Sequence, residues 1–69
     1  MERHPVASST IESIGYDEES GTLEVGFIAG GVYQYFDVPL HEFEALMQAG
    51  SKGAYLATQI KKQYRYSRV

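Results

Sequence analysis

Residues 22–39 read TLEVGFIAGGVYQYFDVP. Leu23, Val25 and Phe27 alternate with Glu24 and Gly26, which is the period of two of a half-buried strand. Ala29, Gly30 and Gly31 follow as turn material, and Tyr33 and Tyr35 resume the alternation beyond it. A three-residue loop with glycine in the left-handed position pairs Ile28 with Val32 and sets Tyr33 and Tyr35 on the face of Leu23, Val25 and Phe27. A two-residue Gly-Gly loop would place the tyrosines beside Glu24 instead, because a slip of one residue exchanges the two faces. The first register is preferred: it collects Glu24, Gly26 and Gln34 on one polar face and leaves only Phe36 out of place.

Working outward, SSTIESIGY (8–16) reads as a further strand, with Ile14 and Tyr16 on one face, Ile11 on the other and a bulge near Ser13. DEESG (17–21) is turn chemistry, with Asp17 and Ser20 able to bond the local backbone. After Asp37, Pro39 opens a helix on which Leu40, Phe43, Leu46 and Met47 form an apolar stripe, and Gly50 ends it. Ser51 is suited to cap a second helix carrying Tyr55, Leu56, Ile60 and Tyr64 on one side and Lys52, Lys61 and Lys62 toward water. Residues 65–69 are expected to form an extended tail or a short C-terminal strand, and residues 1–7 a flexible lead-in. The expected class is α+β: a three-stranded antiparallel β-meander followed by two helices packed on one face (β-β-β-α-α), in a single domain spanning 1–69.

A domain of 69 residues buries only about 60% of its unfolded surface and needs additional support. Cysteine is absent, which excludes disulfides and cysteine-based metal sites and fits a cytoplasmic setting. The six tyrosines and three phenylalanines must then carry much of the core. No stretch has the apolar length of a signal peptide or a membrane span. Charge is partitioned along the chain: residues 1–50 hold nine acids and one base, Arg3, a balance of −8, whereas residues 51–69 hold Lys52, Lys61, Lys62, Arg65 and Arg68 and no acid, a balance of +5. Such asymmetry points to an anionic partner for the basic end.

The chain resembles the KTSC domain family over about residues 8–66. The resemblance is carried by SSTIESIGYD (8–17), TLEVGF (22–27), the central Tyr33-Gln34-Tyr35, Val38-Pro39, and Ser51-Lys52-Gly53 with Tyr55 behind it. The chain departs from the family pattern at Gly26 and at Leu56-Ala57. The family is named for a short domain at the C-terminus of some lysyl-tRNA synthetases and also occurs as stand-alone bacterial proteins. The resemblance implies RNA binding, through that attachment, and no defined reaction.

For nucleic acid, the candidates are Lys52, Lys61, Lys62, Arg65, Tyr66 and Arg68, which supply cations for phosphate and rings for bases. A solvated helix face is the competing account of the lysines. Ser51, Lys52 and Gly53 could hold an anion at a helix start, although capping explains Ser51 equally well. Tyr33 and Tyr35 could stack bases, but the scarcity of other large apolar side chains on the sheet favours a structural role in the core. Ile28 and Phe36 offer the other class of partner, a second copy of the chain or another protein. His41, beside Glu42 and Glu44, reads as a solvated helix face and His4 as part of the lead-in. The expectation is therefore a non-enzymatic domain without cofactor or metal.

Overall fold

The computed structural model describes residues 1–69. Five antiparallel strands lie side by side in chain order: β1 (His4–Pro5), β2 (Ile11–Asp17), β3 (Thr22–Phe27), β4 (Val32–Tyr35) and β5 (Tyr66–Arg68). Helix α1 (Leu40–Gln48) and helix α2 (Lys52–Tyr55), which continues into a wider helical turn at Leu56–Ile60, cover one face. The α+β class, the central meander, the helical pair and the C-terminal strand are as expected from the sequence, and β1 is an additional strand.

The β3–β4 pairing sets Leu23 opposite Tyr35, Val25 opposite Tyr33 and Gly26 opposite Val32. Both tyrosines therefore share the face of Leu23 and Val25, as expected. The loop itself sits one residue earlier than predicted: Gly30 N–H bonds Phe27 O (3.0 Å) and Phe27 N–H bonds Gly31 O (3.1 Å), so Ile28 belongs to the turn and does not pair with Val32. Gly30 at φ 113° and Gly31 at φ 92° adopt backbone that residues with a Cβ rarely reach, which fixes the turn there.

The bulge in β2 falls between Ile11 and Ser13. Strict alternation would have put Ile11 and Ile14 on opposite faces. The extra residue, Glu12, sets Ile11 against Phe27 and Ile14 against Val25, so both isoleucines enter the core. They pack with Leu23, Val25 and Tyr35 of the sheet, Val38 of the connection, and Leu46, Leu56 and Ile60 of the helices. At the edge of this core Tyr16 and Phe43 stack with centroids 4.6 Å apart, and Tyr16 Oη donates to Val38 O (2.5 Å).

Residues 1–7, expected to fray, instead form the sheet's first edge. His4 pairs with Ile14 and Pro5 with Ser13. The cause lies on the outer face of the sheet, where Glu24 is only 7% exposed and a carboxylate so enclosed requires partners. Arg3 Nη1 meets Glu24 Oε2 at 2.6 Å and Gln34 Nε2 donates to Glu24 Oε1 at 2.8 Å, while Arg3 Nε donates to Ser13 Oγ at 3.0 Å. Gly15 and Gly26 leave room for this: a Cβ on Gly15 would overlap the carbonyl oxygen of Glu2, and one on Gly26 would crowd Arg3 Nε.

Asp37, two residues before the Pro39 cap position of α1, makes no capping bond there. Asp37 takes a left-handed φ of 59°, which aspartate tolerates better than most residues, and its carboxylate pairs with Arg65 (3.1 Å). Ser51 does cap α2, its Oγ accepting from Ala54 N–H at 3.3 Å. Past Tyr55 the helix widens: Lys61 N–H reaches back five residues to Leu56 O (2.8 Å). Thr58 Oγ1 donates to Ala54 O (2.8 Å), a local side-chain bond of the kind that loosens a regular ladder. The two helices are also joined by a polar pin, because Glu42 accepts hydrogen bonds from Tyr55 Oη and from Tyr64 Oη, the latter at 2.9 Å. The hydrogen bond to Glu42 raises the Tyr55 phenol; for Tyr64 burial acts first and the bond second.

Two expectations follow from the outer face. The hydrogen bond from Gln34, then Arg3, holds the Glu24 carboxyl below its usual range against the opposing effect of burial. Its contribution to stability is therefore complete above the ordinary glutamate value of about 4.3 and is lost as pH falls through the lower folded value. Thermal melts should show Glu24→Gln less stable than the parent at pH 7, with the gap closing near pH 3. Second, Gly15→Ala should cost about 1–3 kcal/mol by pushing the N-terminal strand off the sheet. Removing residues 1–3 from that variant should then cost little more, a non-additivity readable in denaturant midpoints.

A tyrosine-lined cleft with cations at its rim

β5 pairs with β4 in a register that sets Tyr66 opposite Tyr35 and Arg68 opposite Tyr33. Directly opposite residues in a sheet share a face, so all four side chains stand on the side that carries the helices. The helices cover Tyr35, which is 2% exposed, but Tyr33 remains half-buried and Tyr66 is 45% exposed. An open cleft of about 610 Å³ results. One wall is the three tyrosines; facing them are Leu56 and Ala57 of the helix, with the hairpin tip at Ile28 closing one end and Lys61 standing on the rim.

The rings are arranged as a connected set. Tyr33 meets Phe27 edge-on (5.6 Å, 82°) and lies 6.1 Å from Tyr66, which is 5.5 Å from Tyr35. The guanidinium of Arg68 stands 6.0 Å from the centre of the Tyr33 ring and close to Gly31. None of the hydroxyls of Tyr33, Tyr35 and Tyr66 has a hydrogen-bond partner within the protein, and none of them is sealed from solvent. Burial, and after it the neighbouring phenols of Tyr66 and Tyr33, pushes Tyr35 up to about 12, so at neutral pH it is a hydrogen-bond donor as well as an acceptor. No acidic residue lines the cleft.

Of the six residues expected to meet nucleic acid, three gather here: Lys61 on the rim, and Tyr66 and Arg68 on the wall and beside it. Lys62 is exposed next to Lys61. Arg65 lies elsewhere, at the far end of β4, where it pairs with Asp37 and covers the Phe36 ring at 5.9 Å. Lys52 folds back on Ala49 O (3.4 Å). At the start of α2 the Ser51 hydroxyl is occupied as the cap, and Gly53 lies where a Cβ would overlap Thr10 Oγ1, so local folding accounts for both. Tyr33 and Tyr35 face inward as expected, and in addition they line the cleft. Ile28, 59% exposed at the hairpin tip, and Phe36, under Arg65, sit at opposite ends of β4 and do not form one patch. The cleft was not read from the sequence as a unit because it depends on β5 pairing with β4. The available signal was the alternation of Tyr66 and Arg68 about Ser67.

A family model described as the KTSC domain matches residues 7–64. An uncharacterized protein of Stutzerimonas stutzeri is 41% identical, with 100% of this chain and 99% of the relative covered. A lysine–tRNA ligase of Nostoc is 39% identical over 88% of this chain, which there corresponds to 11% of the ligase. Among solved structures, a KTSC domain protein from Yersinia pestis superposes with a TM-score of 0.94 at 40% identity, covering 99% of this chain and 96% of that one. No helix is long and apolar enough to cross a membrane. With a fold shared almost end to end and a family match over all the central elements, the chain belongs to the KTSC domain family.

Proposed function

We propose that this chain is a small non-enzymatic RNA-binding domain of the cytoplasm, which takes tRNA-like or other polyanionic strands at the cleft end of its sheet. The observation that carries this reading is the make-up of the cleft: flat rings and the flanking cations Lys61 and Arg68, with no carboxylate among the lining residues, in a chain that has nine acids. Rings for bases and cations for phosphate are the two ingredients of single-strand binding. That relatives named as lysine–tRNA ligases carry the domain supports RNA over other polyanions. The cleft offers hydroxyls and one ammonium, with neither imidazole nor carboxylate to move a proton, which favours binding over catalysis.

Lys61, Lys62 and Arg68 would supply the phosphate contacts. Three such contacts correspond to a single-strand salt slope of about −2, and all five C-terminal cations to about −3.5. Fluorescence anisotropy against tRNA at several salt concentrations should give the smaller slope. Lys61→Glu combined with Arg68→Glu should weaken binding by about tenfold or more, since each lost or reversed contact alters the electrostatic share of affinity. Arg65→Glu should change it far less, because Arg65 is held at the other end of the strand. Absence of binding at about 50 mM salt, where such contacts are strong, would overturn the reading.

A further inference from the structure

Resting on this RNA-binding reading, we infer that the cleft receives one unpaired nucleobase, stacked on Tyr66 with its flanking phosphates held by Lys61 and Arg68, so that the domain reads single strands and not duplex. The number of bases follows from which ring faces are free. Tyr35 is buried beneath the helices. Tyr33 has Arg68 over its ring and Phe27 against it. Tyr66 meets Tyr35 (5.5 Å) and Tyr33 (6.1 Å) at tilted angles, yet it alone of the three stands on the last, edge strand and is 45% exposed, with the small side chain of Ala57 also lining the cleft. The volume, about 610 Å³, lies in the range of small-ligand sites and is open enough for a strand to enter and leave.

The polar groups at the cleft bear on what part of the base is read. The phenol hydroxyls of Tyr33 and Tyr35 and the side chains of Ser9 and Thr10 border it. Each hydroxyl both donates and accepts, so they can satisfy the edge of any base without selecting strongly among the four. The occupant fits on charge as well: an apolar plane enters a largely apolar slot, Lys61 among the lining residues and Arg68 beside Tyr33 are available to its anionic neighbours, and no acidic residue lines the cleft to repel them. A base within an A-form duplex is stacked and paired and cannot reach Tyr66, whereas duplex phosphates remain free to meet the lysines.

The test compares a hexameric single-stranded oligoribonucleotide with a duplex of equal length at one salt concentration, using the full chain, Tyr66→Ala and Tyr66→Phe. The single strand should bind at least about tenfold more tightly than the duplex. Tyr66→Ala should lose about 5- to 150-fold for the single strand, the equivalent of the about 1–3 kcal/mol that one stacked base is worth, with the salt slope unchanged, and Tyr66→Phe should stay within about twofold of the parent because the ring is kept. A 2-aminopurine placed within the strand should be quenched on binding to the unmodified chain, a readout independent of how the variants fold. If Tyr66→Ala binds like the parent while Lys61→Glu with Arg68→Glu does not, or if duplex and single strand bind alike without quenching, the nucleobase site is overturned and RNA binding through charge stands. If neither RNA form binds the unmodified chain, both readings fall.

Discussion

The close of the β3–β4 hairpin is the constraint from which the rest of the molecule follows. Gly30 and Gly31, both at positive φ, fix where the chain reverses, and the reversal sets the parity with which β4 faces the core. With that parity Tyr33 and Tyr35 join Leu23 and Val25, and Glu24 with Gln34 falls on the other side. β5 inherits it in turn, since pairing against β4 dictates that Tyr66 and Arg68 point where the tyrosines point. A register one residue off would place Tyr33 and Tyr35 on the outer face beside Glu24 and turn Gln34 into the core. Both tyrosines of the family motif Tyr33-Gln34-Tyr35 thus serve the core and line the cleft, the second the more deeply buried.

A chain this short, without disulfides, needs ties other than apolar area. Two polar pins provide them, each built around one carboxylate with two partners. Glu24 holds Arg3 and Gln34 and so fastens the N-terminal edge to the middle of the sheet. Glu42 holds Tyr55 and Tyr64 and so fastens α1 to the second helix and to the turn after it. Both carboxylates are well partnered, which is the condition under which an enclosed charge stabilises a fold instead of opposing it. The β2 bulge completes the arrangement by delivering Ile11 and Ile14 to the same core.

Much of this was legible in the sequence, and the misses share a cause. Alternation, glycines and the Ser51 cap were readable because each is a local property; the central strands and the second helix start fall where they indicate, and the β3–β4 turn falls one residue earlier with the same parity. Arg3 and Glu42 were misread because their meaning lies in partners 21 and 22 residues away: local patterning shows a charged lead-in and a solvated helix face, and only tertiary contact turns them into ties. The same holds for the cleft. Its cations were visible as a composition bias at 51–69, yet composition cannot separate Lys61 and Arg68, which reach the cleft, from Arg65, which β5 carries to the opposite end. The widened turn at Leu56–Ile60 was also hidden, since the apolar positions alone are compatible with a regular helix.

The partition of charge along the sequence becomes a partition in space. β3 runs from the Asp17–Gly21 turn to the hairpin tip at Ile28, so these two loops lie at opposite ends of the strands. Asp17, Glu18 and Glu19 occupy the first end, where Asp37 joins them through the Val38 N–H bond to Gly21 O. β5 leaves that end at Arg65 and arrives at the other with Val69 bonded to Val32. Arg65 is therefore placed among acids and spent on Asp37, while Arg68, three residues on, stands beside Tyr33 at the cleft. On the proposed RNA-binding reading, an anionic strand approaching such a molecule would be repelled from one end and drawn to the other, so the field would orient the encounter before any ring makes contact. The net charge of −3 would add to this selectivity on the same reading, since it disfavours adsorption of polyanions away from the cations Lys61 and Arg68.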